Sequence, residues 1–300
     1  MIIVQIAGGL GNQMQQYALY RKFLSLGKEA KIDVSWYGEA GHADSAGTTG
    51  RQLELRLLEG ISWEACTAAE RDALTGGDSI FGKLRRKLLP GTIHWFQESG
   101  MYHPEVFEQD HLYLTGYFAC EKYYADILPR LREEIRFPEG KNPENQRLAK
   151  EMQERNSVSV HIRRGDYLNE YNAAMFGNIC TEAYYQGAMD YFKKQDENVH
   201  FYLFSDEPDY VRAHYQGDCY TVVDVNHGTD SFLDMWLMSR CRHNICANST
   251  FSFWGARLNT HAEKIMIRPT IHKNSQTFVK EQMQKLWPGW MFVDPAGAVR

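Results

Sequence analysis

The carboxyl half of the chain alternates between strand-like and helix-like segments, and this alternation restricts the fold more than any other feature of the sequence. Strands are predicted over 157–163, 200–204, 219–224, 243–247 and 264–267, and helices over 181–194, 207–215, 231–241 and 252–261. Repeated β-α units form a parallel sheet with helices on both faces. The sequence therefore predicts an α/β domain whose ligands lie beyond the carboxyl ends of the strands.

The first strand of this half ends in an unusual polar sequence. Its even-numbered side chains are apolar and share one face, while the odd-numbered ones, including His161 and Arg163, share a polar face. A central parallel strand is normally apolar on both faces, so cations at its end indicate an anionic ligand such as a diphosphate. Arg163 and Arg164 can bind phosphate oxygens, Gly165 permits a sharp turn, and Asp166 can hold a guanidinium in place. The alternative is a surface salt bridge from one arginine to Asp166.

Polar clusters follow each of the first four predicted strands. The carboxyl ends of parallel strands meet at one edge of the sheet, so we expect these clusters to lie together. Four clusters at one edge favour a polar crevice that binds a nucleotide. The clusters are 163–166, 205–207, 224–230 and 248–250.

Three positions near that edge have two interpretations each. Ser231 and Asp234 have the spacing of a capping box. The carboxylate of Asp234 can also accept hydrogen bonds from the two N–H donors of a guanine. Ser249 and Thr250 precede a predicted helix, where both helix caps and phosphates are found. His161 is either a core histidine with satisfied hydrogen bonds or a ligand-binding residue. The sequence leaves these alternatives open.

The chain opens with a strand, a glycine-rich turn, a helix and a second strand, over residues 2–34. Asp33 stands where a dinucleotide-binding fold has its ribose-binding acid, so a nicotinamide site is one interpretation. However, Met14 occupies a position where that fold needs a small residue for close helix–strand packing. Asn12 and Gln13 in the same turn carry side chains able to hold hydroxyl groups, which is the other interpretation.

The connecting segments add five expectations. A strand is predicted over 112–117 and an amphipathic helix over 123–137, followed by a linker at 138–143, after which the second domain begins. The small, polar segment 38–50 is predicted to be a loop that acts as a lid. The basic segment 83–87 is either a solvated helix face or a surface that docks to an anionic membrane.

The composition excludes several classes of function. A formal net charge of -5 argues against general nucleic-acid binding, although it permits a local cationic site. The six cysteines are scattered without a Cys-x-x-Cys pair, so neither a zinc site nor a disulfide framework is indicated. The first residues lack a basic leader, and no apolar run approaches the ~18 residues of a membrane span. We therefore expect a cytoplasmic protein, with peripheral contact at the inner membrane face as one option.

At this point the sequence resembles a known family, the bacterial α-1,2-fucosyltransferases of glycosyltransferase family eleven, which are related to the α-1,6 and protein O-fucosyltransferases. The resemblance covers nearly the whole chain. Five motifs in order carry it: 8–13 (Gly-Gly-Leu-Gly-Asn-Gln), 161–167 (His-Ile-Arg-Arg-Gly-Asp-Tyr), 204–207 (Phe-Ser-Asp-Glu), 231–235 (Ser-Phe-Leu-Asp-Met) and 248–256 (Asn-Ser-Thr-Phe-Ser-Phe-Trp-Gly-Ala).

The resemblance implies a fold and an activity. The fold is two facing Rossmann-like domains, the GT-B arrangement, each a parallel sheet flanked by helices. Residues 1–150 would bind the acceptor and residues 151–300 would bind GDP-fucose, with the last residues able to return to the first domain. L-Fucose would pass from GDP-β-L-fucose, with inversion and without a metal or other cofactor, to the 2-hydroxyl of a terminal galactose in an oligosaccharide. The partners would be these two substrates and no nucleic acid.

The resemblance also implies roles for single residues. In the family's donor motif the first arginine, here Arg163, binds the β-phosphate. Asn12 matches the asparagine of the family's amino-terminal glycine turn, which in related enzymes lies near the acceptor and the bond being made. Asp234 matches the acid that reads guanine. Carried over by position, the catalytic residues are Arg163, Asp166 and Asn12, the acceptor-binding residues are Gly9, Asn12 and Gln13, and the donor-binding residues are His161, Arg163, Arg164, Ser205, Asp206, Asp234, Asn248, Ser249 and Thr250.

Two departures from the family pattern concern Glu207, where a second Asp is frequent, and Gln15, where Phe is usual. The sequence holds no Asp-x-Asp metal pair, so arginine is expected to stabilise the leaving diphosphate. A general base is needed only if deprotonation accompanies bond breaking, and Asp166 is its nominal candidate. A rival interpretation is a non-catalytic glycan-binding or nucleotide-sugar-binding module that uses Tyr117, Tyr123 and Trp254 as a sugar platform. The acceptor and the oligomeric state stay open.

Overall fold

The computed structural model describes residues 1–38, 51–77, 79–138, 142–165 and 170–300. The chain divides into two compact units, Met1–Arg136 and Phe137–Arg300. The division falls before the expected boundary at residue 150, because the helix over Pro143–Glu154 belongs to the second unit. Of the predicted lid, residues 39–50 lie outside the described residues, as do residues 139–141 of the predicted linker.

The first unit is a four-stranded parallel sheet with helices. Its strand order is β2-β1-β4-β3, and each neighbouring pair runs in the same direction. The strands predicted near residues 2–6, 31–34 and 112–117 are confirmed, while β3 was not predicted. The elements are β1 (Ile2–Gln5), β2 (Ala30–Asp33), β3 (Trp95–Gln97), β4 (Leu112–Thr115), α1 (Leu10–Ser25), α2 (Ala68–Thr75), α3 (Ile80–Leu88) and α4 (Leu128–Glu134).

The amphipathic helix predicted over 123–137 is mostly wrong. Two short 3-10 turns, Glu121–Tyr123 and Ala125–Ile127, come first, and only α4 is α-helical. Pro129 provides the physical reason, since a residue without an N–H fits the first turn of a helix but not its interior. The apolar spacing of the segment is still used, because Leu128, Leu131 and Ile135 are buried.

The second unit is a six-stranded parallel sheet in the order β10-β9-β8-β5-β6-β7. All the predicted strands and helices of this half are present, with ends that differ by at most three residues. The elements are α5 (Pro143–Glu154), β5 (Ser157–Ile162), α6 (Glu170–Phe176), α7 (Glu182–Lys193), β6 (His200–Ser205), α8 (Pro208–His214), β7 (Tyr220–Val223), α9 (Leu233–Arg240), β8 (His243–Ile245), α10 (Thr250–Leu258), β9 (Met266–Pro269), α11 (Lys280–Leu286) and β10 (Trp290–Val293).

The fold class predicted from the sequence, α/β with parallel sheets flanked by helices, is confirmed. Whether the two units face each other as in the GT-B arrangement stays a prediction. Within the described ranges, the structure contains no helix that combines the length and the apolar character needed to cross a bilayer.

The order of strands in the second unit creates a switch point between β5 and β8. From β5 the chain proceeds to β6 and β7 on one side, then returns to the other side of β5 to form β8, β9 and β10. The helices after β5 and after β8 therefore diverge, which opens a crevice at the carboxyl ends of these two strands. The apolar side of β5 is fully buried beneath this crevice, through Val158, Val160 and Ile162.

Candidate functional site

A pocket of about 300 Å³ lies at this switch point. One wall is the carboxyl end of β5, another is Asn248 after β8, and a third is formed by the end of α6 and the start of α7. The sequence predicted a polar crevice at this edge, and the two arginines after β5 do line it. The pocket residues are Ile162, Arg163, Arg164, Phe176, Gly177, Asn178, Cys180, Thr181, Glu182, Tyr185, Tyr210 and Asn248.

Arg163 is fixed beside the pocket by an acid from the neighbouring strand. Its Nη1 lies 2.8 Å from Oδ2 of Asp206, and the side chains of both residues are about three-quarters buried. The other carboxylate oxygen of Asp206 accepts a hydrogen bond from the backbone N–H of Arg164 at 3.0 Å. Asp206 therefore holds both the guanidinium of Arg163 and the chain that leads away from β5.

Arg164 is held by a second acid and by an aromatic ring. Its Nε donates to Oε2 of Glu207 at 2.9 Å, and its guanidinium carbon lies 3.5 Å from the centre of the Tyr210 ring. The backbone N–H of Glu207 donates in turn to Oγ of Ser205 at 3.0 Å. The two predicted donor residues Ser205 and Asp206 thus contribute to one charged cluster with both arginines.

The surface salt bridge to Asp166, which the sequence offered as an alternative, lies outside the described residues. The acidic partners of the two arginines among the described residues are Asp206 and Glu207, and the pairing with Asp166 stays a prediction. Gly165 has a steric role beside them, because a Cβ added to it would lie 2.3 Å from Oδ2 of Asp206. Any larger residue would push Asp206 away from Arg163.

His161 is buried and neutral. Burial, reinforced by the positive charge of Arg163, lowers the pKa of His161 to about 3. Its ring lies 6.0 Å from that of Phe251, and its carbonyl accepts a hydrogen bond from the hydroxyl of Tyr185 at 3.0 Å. Its Nδ1 contacts no hydrogen-bond partner among the described residues. A contact of His161 with the donor stays a prediction, and at neutral pH it would be that of an uncharged imidazole.

The remaining polar residues on the same face of β5 serve the fold. Oγ of Ser159 accepts a hydrogen bond from Nδ2 of Asn244 at 2.7 Å, and Oγ of Ser157 accepts one from the backbone N–H of Arg242 at 2.9 Å. The polar side chains of Ser157 and Ser159 therefore form hydrogen bonds inside the protein. On this face, the polar side chain that lines the pocket is Arg163, directly after the strand.

Asn248 links three segments at the pocket wall. Its side chain is almost wholly buried, and Nδ2 donates to the carbonyls of Phe176 and His272 at 3.1 Å each. Its Oδ1 lies 3.5 Å from the thiol of Cys180. Asn248 thus lines the pocket as predicted, while its amide group is engaged in holding that wall together.

The next two residues begin α10. Ser249 occupies the N-cap position without forming a side-chain capping bond, and Thr250 is the first helical residue. Both side chains are half-buried. The start of a helix presents backbone N–H groups, which suits a phosphate. Their predicted donor role is compatible with this position and stays a prediction.

Asp234 belongs to a second cluster. The capping-box interpretation is wrong, because α9 begins after Phe232 and Oγ of Ser231 donates to the carbonyl of Gly228. Oδ1 of Asp234 instead accepts a hydrogen bond from Nδ2 of Asn226 at 2.8 Å. Burial raises the pKa of Asp234 to about 7, and repulsion from Asp224 adds to that effect.

Asn226 is itself held by Asn145 of α5. The two amides exchange hydrogen bonds, with Nδ2 to Oδ1 distances of 2.7 Å from Asn145 and 3.0 Å from Asn226, and both residues are buried. This pair fixes the orientation of the amide that contacts Asp234. Sequence reasoning missed both asparagines, although Asn226 lies within the polar cluster at 224–230 that it had singled out.

In the first unit, the glycine turn after β1 contains the predicted acceptor residues. Gly8 has a φ of +81°, and its carbonyl accepts a hydrogen bond from the hydroxyl of Tyr37 at 2.8 Å. Gly9 is the N-cap of α1 and its carbonyl accepts from the backbone N–H of Asn12 at 2.9 Å. The side chain of Asn12 is half-buried at this turn. Its predicted role near the acceptor stays a prediction.

Gln13 requires a correction. Its side chain is fully buried, and Nε2 donates to the carbonyls of Gly8 and Gln52 at 3.0 and 2.8 Å. Its Oε1 accepts from the backbone N–H of Leu55 at 3.0 Å. Both ends of the amide are thus engaged with the protein backbone. The structure gives Gln13 a structural role in place of the predicted acceptor contact.

The two following glutamines also tie α1 to its sheet. Nε2 of Gln15 donates to the carbonyl of Tyr117 at 3.1 Å. Gln16 accepts from the backbone N–H of Ala7 at 2.9 Å and donates to the carbonyl of Gly116 at 2.8 Å. Gln15, which replaces the usual phenylalanine, therefore fastens the helix to the segment after β4 by a hydrogen bond.

The geometry of Asp33 argues against the nicotinamide interpretation. Its carboxylate is buried, with Oδ2 accepting from the hydroxyl of Tyr113 at 2.7 Å and Oδ1 accepting from the backbone N–H of Ser35 at 2.8 Å. A ribose-binding acid needs an oxygen that can reach the ligand. Asp33 instead uses both of its oxygens inside the unit.

The proposed sugar platform is likewise not formed. Tyr123 and Trp254 are completely buried, whereas Tyr117 is half exposed. Two of the three rings are therefore core residues. Aromatic composition alone did not distinguish a core ring from a binding ring, because both kinds occur at apolar positions of the sequence.

Sequence reasoning also missed Tyr210, which covers the guanidinium of Arg164. Its position held a signal: Tyr210 follows Glu207 by three residues at the start of α8, so the two side chains lie on the same side of that turn. Among the described residues, no group of three or more His, Cys, Asp or Glu side chains could hold a metal ion. Metal independence stays a prediction.

A comparison with known families decides what kind of protein this is. The sequence profile described as glycosyl transferase family 11 matches residues 106–294, which is more than half of the chain. The chain belongs to this family. The resemblance stated from the five motifs is thereby confirmed.

Two bacterial relatives of this family 11 chain match along most of their length. An α-1,2-colitosyltransferase of Escherichia coli is 29% identical over 276 residues, covering 90% of this chain and 91% of the relative. The O-antigen biosynthesis glycosyltransferase WbnK of Escherichia coli is also 29% identical, covering 88% and 92%. A galactoside α-(1,2)-fucosyltransferase 1 of Ateles belzebuth is 28% identical, over 49% of this chain and 43% of the relative.

Among solved structures, the family 11 chain is similar to the fucosyltransferase NodZ from Bradyrhizobium. The two sequences are 15% identical, the match covers 85% of this chain and 91% of that one, and the TM-score is 0.46. At this TM-score the likeness supports no further conclusion.

Proposed function

We propose that this family 11 glycosyltransferase moves L-fucose from GDP-β-L-fucose to the 2-hydroxyl of a terminal galactose, with inversion at the fucose carbon. The observation that carries the proposal is the position of Arg163, fixed by Asp206 at a pocket on the switch point of the second sheet. An α-1,2 linkage occurs in the names of two relatives, one that transfers colitose and one that transfers fucose to galactosides. These names support the linkage and the acceptor class proposed.

The chemistry asks for a cation at the leaving group. When the bond between fucose and GDP breaks, negative charge develops on the β-phosphate and positive charge on the sugar. In our proposal the guanidinium of Arg163 stabilises the β-phosphate. The ion pair with Asp206 holds that guanidinium in position before the substrate arrives, so little reorganisation is needed during the reaction. Arg164, held by Glu207 and Tyr210, maintains the shape of the motif.

The guanine and the acceptor are assigned to other residues. Asp234, in its ionised form, would accept the N–H donors at positions 1 and 2 of guanine, a pattern that adenine lacks. The start of α10 at Ser249 and Thr250 offers backbone N–H groups to the diphosphate. Asn12 would orient the acceptor hydroxyl, but an amide cannot remove its proton.

The identity of the general base is open within the proposal. Asp166 is its nominal candidate and lies outside the described residues. His161 is neutral at physiological pH, since its pKa is lowered to about 3. A conjugate acid of that strength makes a weak base, so His161 is a poor candidate for removing the proton. A dissociative path, in which the proton leaves after bond breaking, needs no base.

The test is acceptor-dependent release of GDP. The enzyme should release GDP from GDP-fucose only when lactose is also present. The rate should be the same with and without EDTA. NMR of the product should show an α-1,2 linkage. Arg163→Ala should lose roughly a hundredfold or more in kcat, on the order of 3 kcal/mol. Arg212→Ala is the matched control, because Arg212 pairs with Asp209 and Asp224 and is about half exposed. Near wild-type turnover of Arg163→Ala at saturating donor would contradict the assignment.

A colitosyl donor is the second candidate, favoured by the α-1,2-colitosyltransferase among the relatives. Colitose lacks the hydroxyl at carbon 3 that fucose carries. The ratio of kcat/KM for GDP-fucose and GDP-colitose, measured with one acceptor, decides between the donors. Binding of GDP without any acceptor-dependent release from either donor would favour the non-catalytic module instead.

A further inference from the structure

Helix α3 and the residues after it expose an unusual concentration of large apolar side chains. Five of the eleven exposed large hydrophobic residues among those described lie within the ten residues 80–89. Contiguous exposed apolar surface of this kind marks an interaction site. The five residues and their exposed fractions are Ile80 at 83%, Phe81 at 84%, Leu84 at 50%, Leu88 at 64% and Leu89 at 58%.

The apolar side chains of α3 share one face. At about 100° per residue, positions 80, 81, 84 and 88 fall within an arc of about 100°. On the other side, Gly82 packs directly against the protein, because a Cβ added there would lie 2.0 Å from the carbonyl oxygen of Gly76 and 2.5 Å from that of Gly77. The helix is therefore seated on its unit by the glycine side, with its apolar side outward.

Two arginines fasten the helix in this orientation. Nη1 of Arg86 donates to the carbonyls of Thr75 and Gly77 at 3.2 and 2.5 Å. Arg85 donates to the hydroxyl and the carbonyl of Thr92 at 3.0 and 2.9 Å. These hydrogen bonds hold the apolar face of α3 in its outward direction.

The charged residues of this segment are all positive. Residues 79–97 contain Lys83, Arg85, Arg86 and Lys87 and neither Asp nor Glu, in a chain whose net charge is -5. Lys83 and Lys87 are exposed, and they lie on the helix beside the apolar arc. An amphipathic face bordered by exposed lysines is complementary to an anionic lipid surface, where the apolar side chains enter the acyl boundary and the ammonium groups stay among the headgroups.

We propose that the face formed by Ile80, Phe81, Leu84, Leu88 and Leu89, with Lys83 and Lys87 at its border, docks the protein to an anionic phospholipid surface. A second copy of the chain is the less favoured occupant, since a two-fold contact through this face would place the two cationic clusters against each other. Docking through α3 to a lipid surface does not depend on the donor site in the second unit.

The test is sedimentation of the full chain with vesicles. Vesicles that contain phosphatidylglycerol should bind the protein, vesicles of phosphatidylcholine alone should bind it at least tenfold less, and added salt should weaken binding because the attraction is screened. The double variants Ile80→Ser with Phe81→Ser, and Lys83→Gln with Lys87→Gln, should each lower vesicle binding roughly tenfold or more. Their midpoints of thermal unfolding should match that of the wild type, since all four side chains are exposed.

Matched controls come from exposed residues of the same kinds elsewhere on the chain. Val279→Ser and Lys150→Gln remove an exposed apolar residue and an exposed lysine in the second unit, and they should leave vesicle binding unchanged. Absence of wild-type binding to anionic vesicles would overturn the proposal. So would equal binding by the double variants, or the dissociation of a dimer by Ile80→Ser with Phe81→Ser without any change in vesicle binding.

Discussion

The register between β5 and β6 sets the charge pattern of the site residue by residue. Ile162 lies opposite Ser205 in the parallel pair. Continuing by one and two residues brings Arg163 to Asp206 and Arg164 to Glu207, which are the two ion pairs observed. Each arginine therefore pairs with its own acid, and both acids directly follow the neighbouring strand β6. The pairs limit where the guanidinium groups can lie, and this matters more for binding a diphosphate than for stability.

Removing the acid that positions Arg163 should weaken its action. We expect Asp206→Asn to lower kcat/KM for the donor roughly tenfold to a hundredfold, because a hydrogen bond to a charged group contributes about 1.5–3 kcal/mol. Asp209→Asn is the matched control, since its side chain is 98% exposed and it contacts only Arg212 among the ion pairs described. Steady-state kinetics with varied donor measure the effect, and equal values for the two variants would contradict the positioning role.

The raised pKa of Asp234 makes donor binding dependent on pH. Guanine needs the ionised carboxylate as acceptor, and burial raises the pKa of Asp234 to about 7 in the unliganded protein. The dissociation constant for GDP should therefore fall as the pH rises from 6 to 8. Asp234→Asn should weaken binding and remove this dependence. Calorimetric titration at several pH values tests both effects, and an unchanged pH profile in the variant would rule out Asp234 as the cause.

The same pKa shift predicts an opposite trend for stability. A carboxyl whose pKa is raised in the folded state binds its proton more tightly there than in the unfolded chain. Stability from this group is therefore lost as the pH rises from its ordinary pKa of 3.8 towards about 7. Asp234→Asn should raise the free energy of unfolding at pH 8, by on the order of 1 kcal/mol, and raise it less at pH 5. Urea unfolding without nucleotide provides the measurement.

At the scale of elements, Asn248 joins the end of β8 to the end of α6 and to the segment after β9. Its amide donates hydrogen bonds to the carbonyls of both neighbours, Phe176 and His272. Asn248→Ala should lower the free energy of unfolding by about 2–3 kcal/mol, because two part-buried carbonyls lose their donor and the buried side chain is removed. Asn274→Ala is the control: its amide also bonds to the end of α6, but at an exposed position, so a smaller loss is expected. Equal losses in urea unfolding would contradict this role.

Most elements between residues 157 and 267 could be predicted because strand and helix periods alternate there, whereas α5, α6, α11 and β10 were not predicted. The predictions failed for short elements and where a single residue determines the length of an element. Strands β3 and β10 have three and four residues, so their pattern alone does not identify them, whereas the equally short β8 could be predicted because it lies between two predicted helices. The helix predicted over 123–137 was shortened by Pro129, whose effect depends on which turn of a helix receives it.

The position of the site could be predicted from the sequence, but the ion pairs between its arginines and their acids could not. Arg163 and Arg164 could be found because two cations at the end of a buried strand require a partner. The acids Asp206 and Glu207 could not be paired with the arginines without the register of β5 against β6. The pairing with Asp166, which lies outside the described residues, stays a prediction. Gln13 was assigned to a ligand because a polar residue in a turn and a buried polar residue have the same appearance in a sequence.

At the scale of the whole molecule, each unit has one place that could bind a nucleotide. In the first unit it is the glycine turn after β1, and in the second it is the carboxyl end of β5. Our account places the nucleotide in the second unit and excludes a dinucleotide at Asp33, whose carboxylate is internally bonded. GDP at about 100 times its dissociation constant should stabilise the protein by about 2.7 kcal/mol and raise the midpoint of thermal unfolding by roughly 5 °C or more. NAD at the same concentration should leave the midpoint unchanged. Stabilisation by NAD alone would contradict this assignment.

The most direct measurement is a crystal structure of the protein with GDP. The account predicts the β-phosphate within hydrogen-bonding distance of the guanidinium of Arg163, at the carboxyl end of β5, with guanine against the carboxylate of Asp234. A nucleotide bound elsewhere, with the guanidinium of Arg163 bonded only to protein atoms, would contradict it.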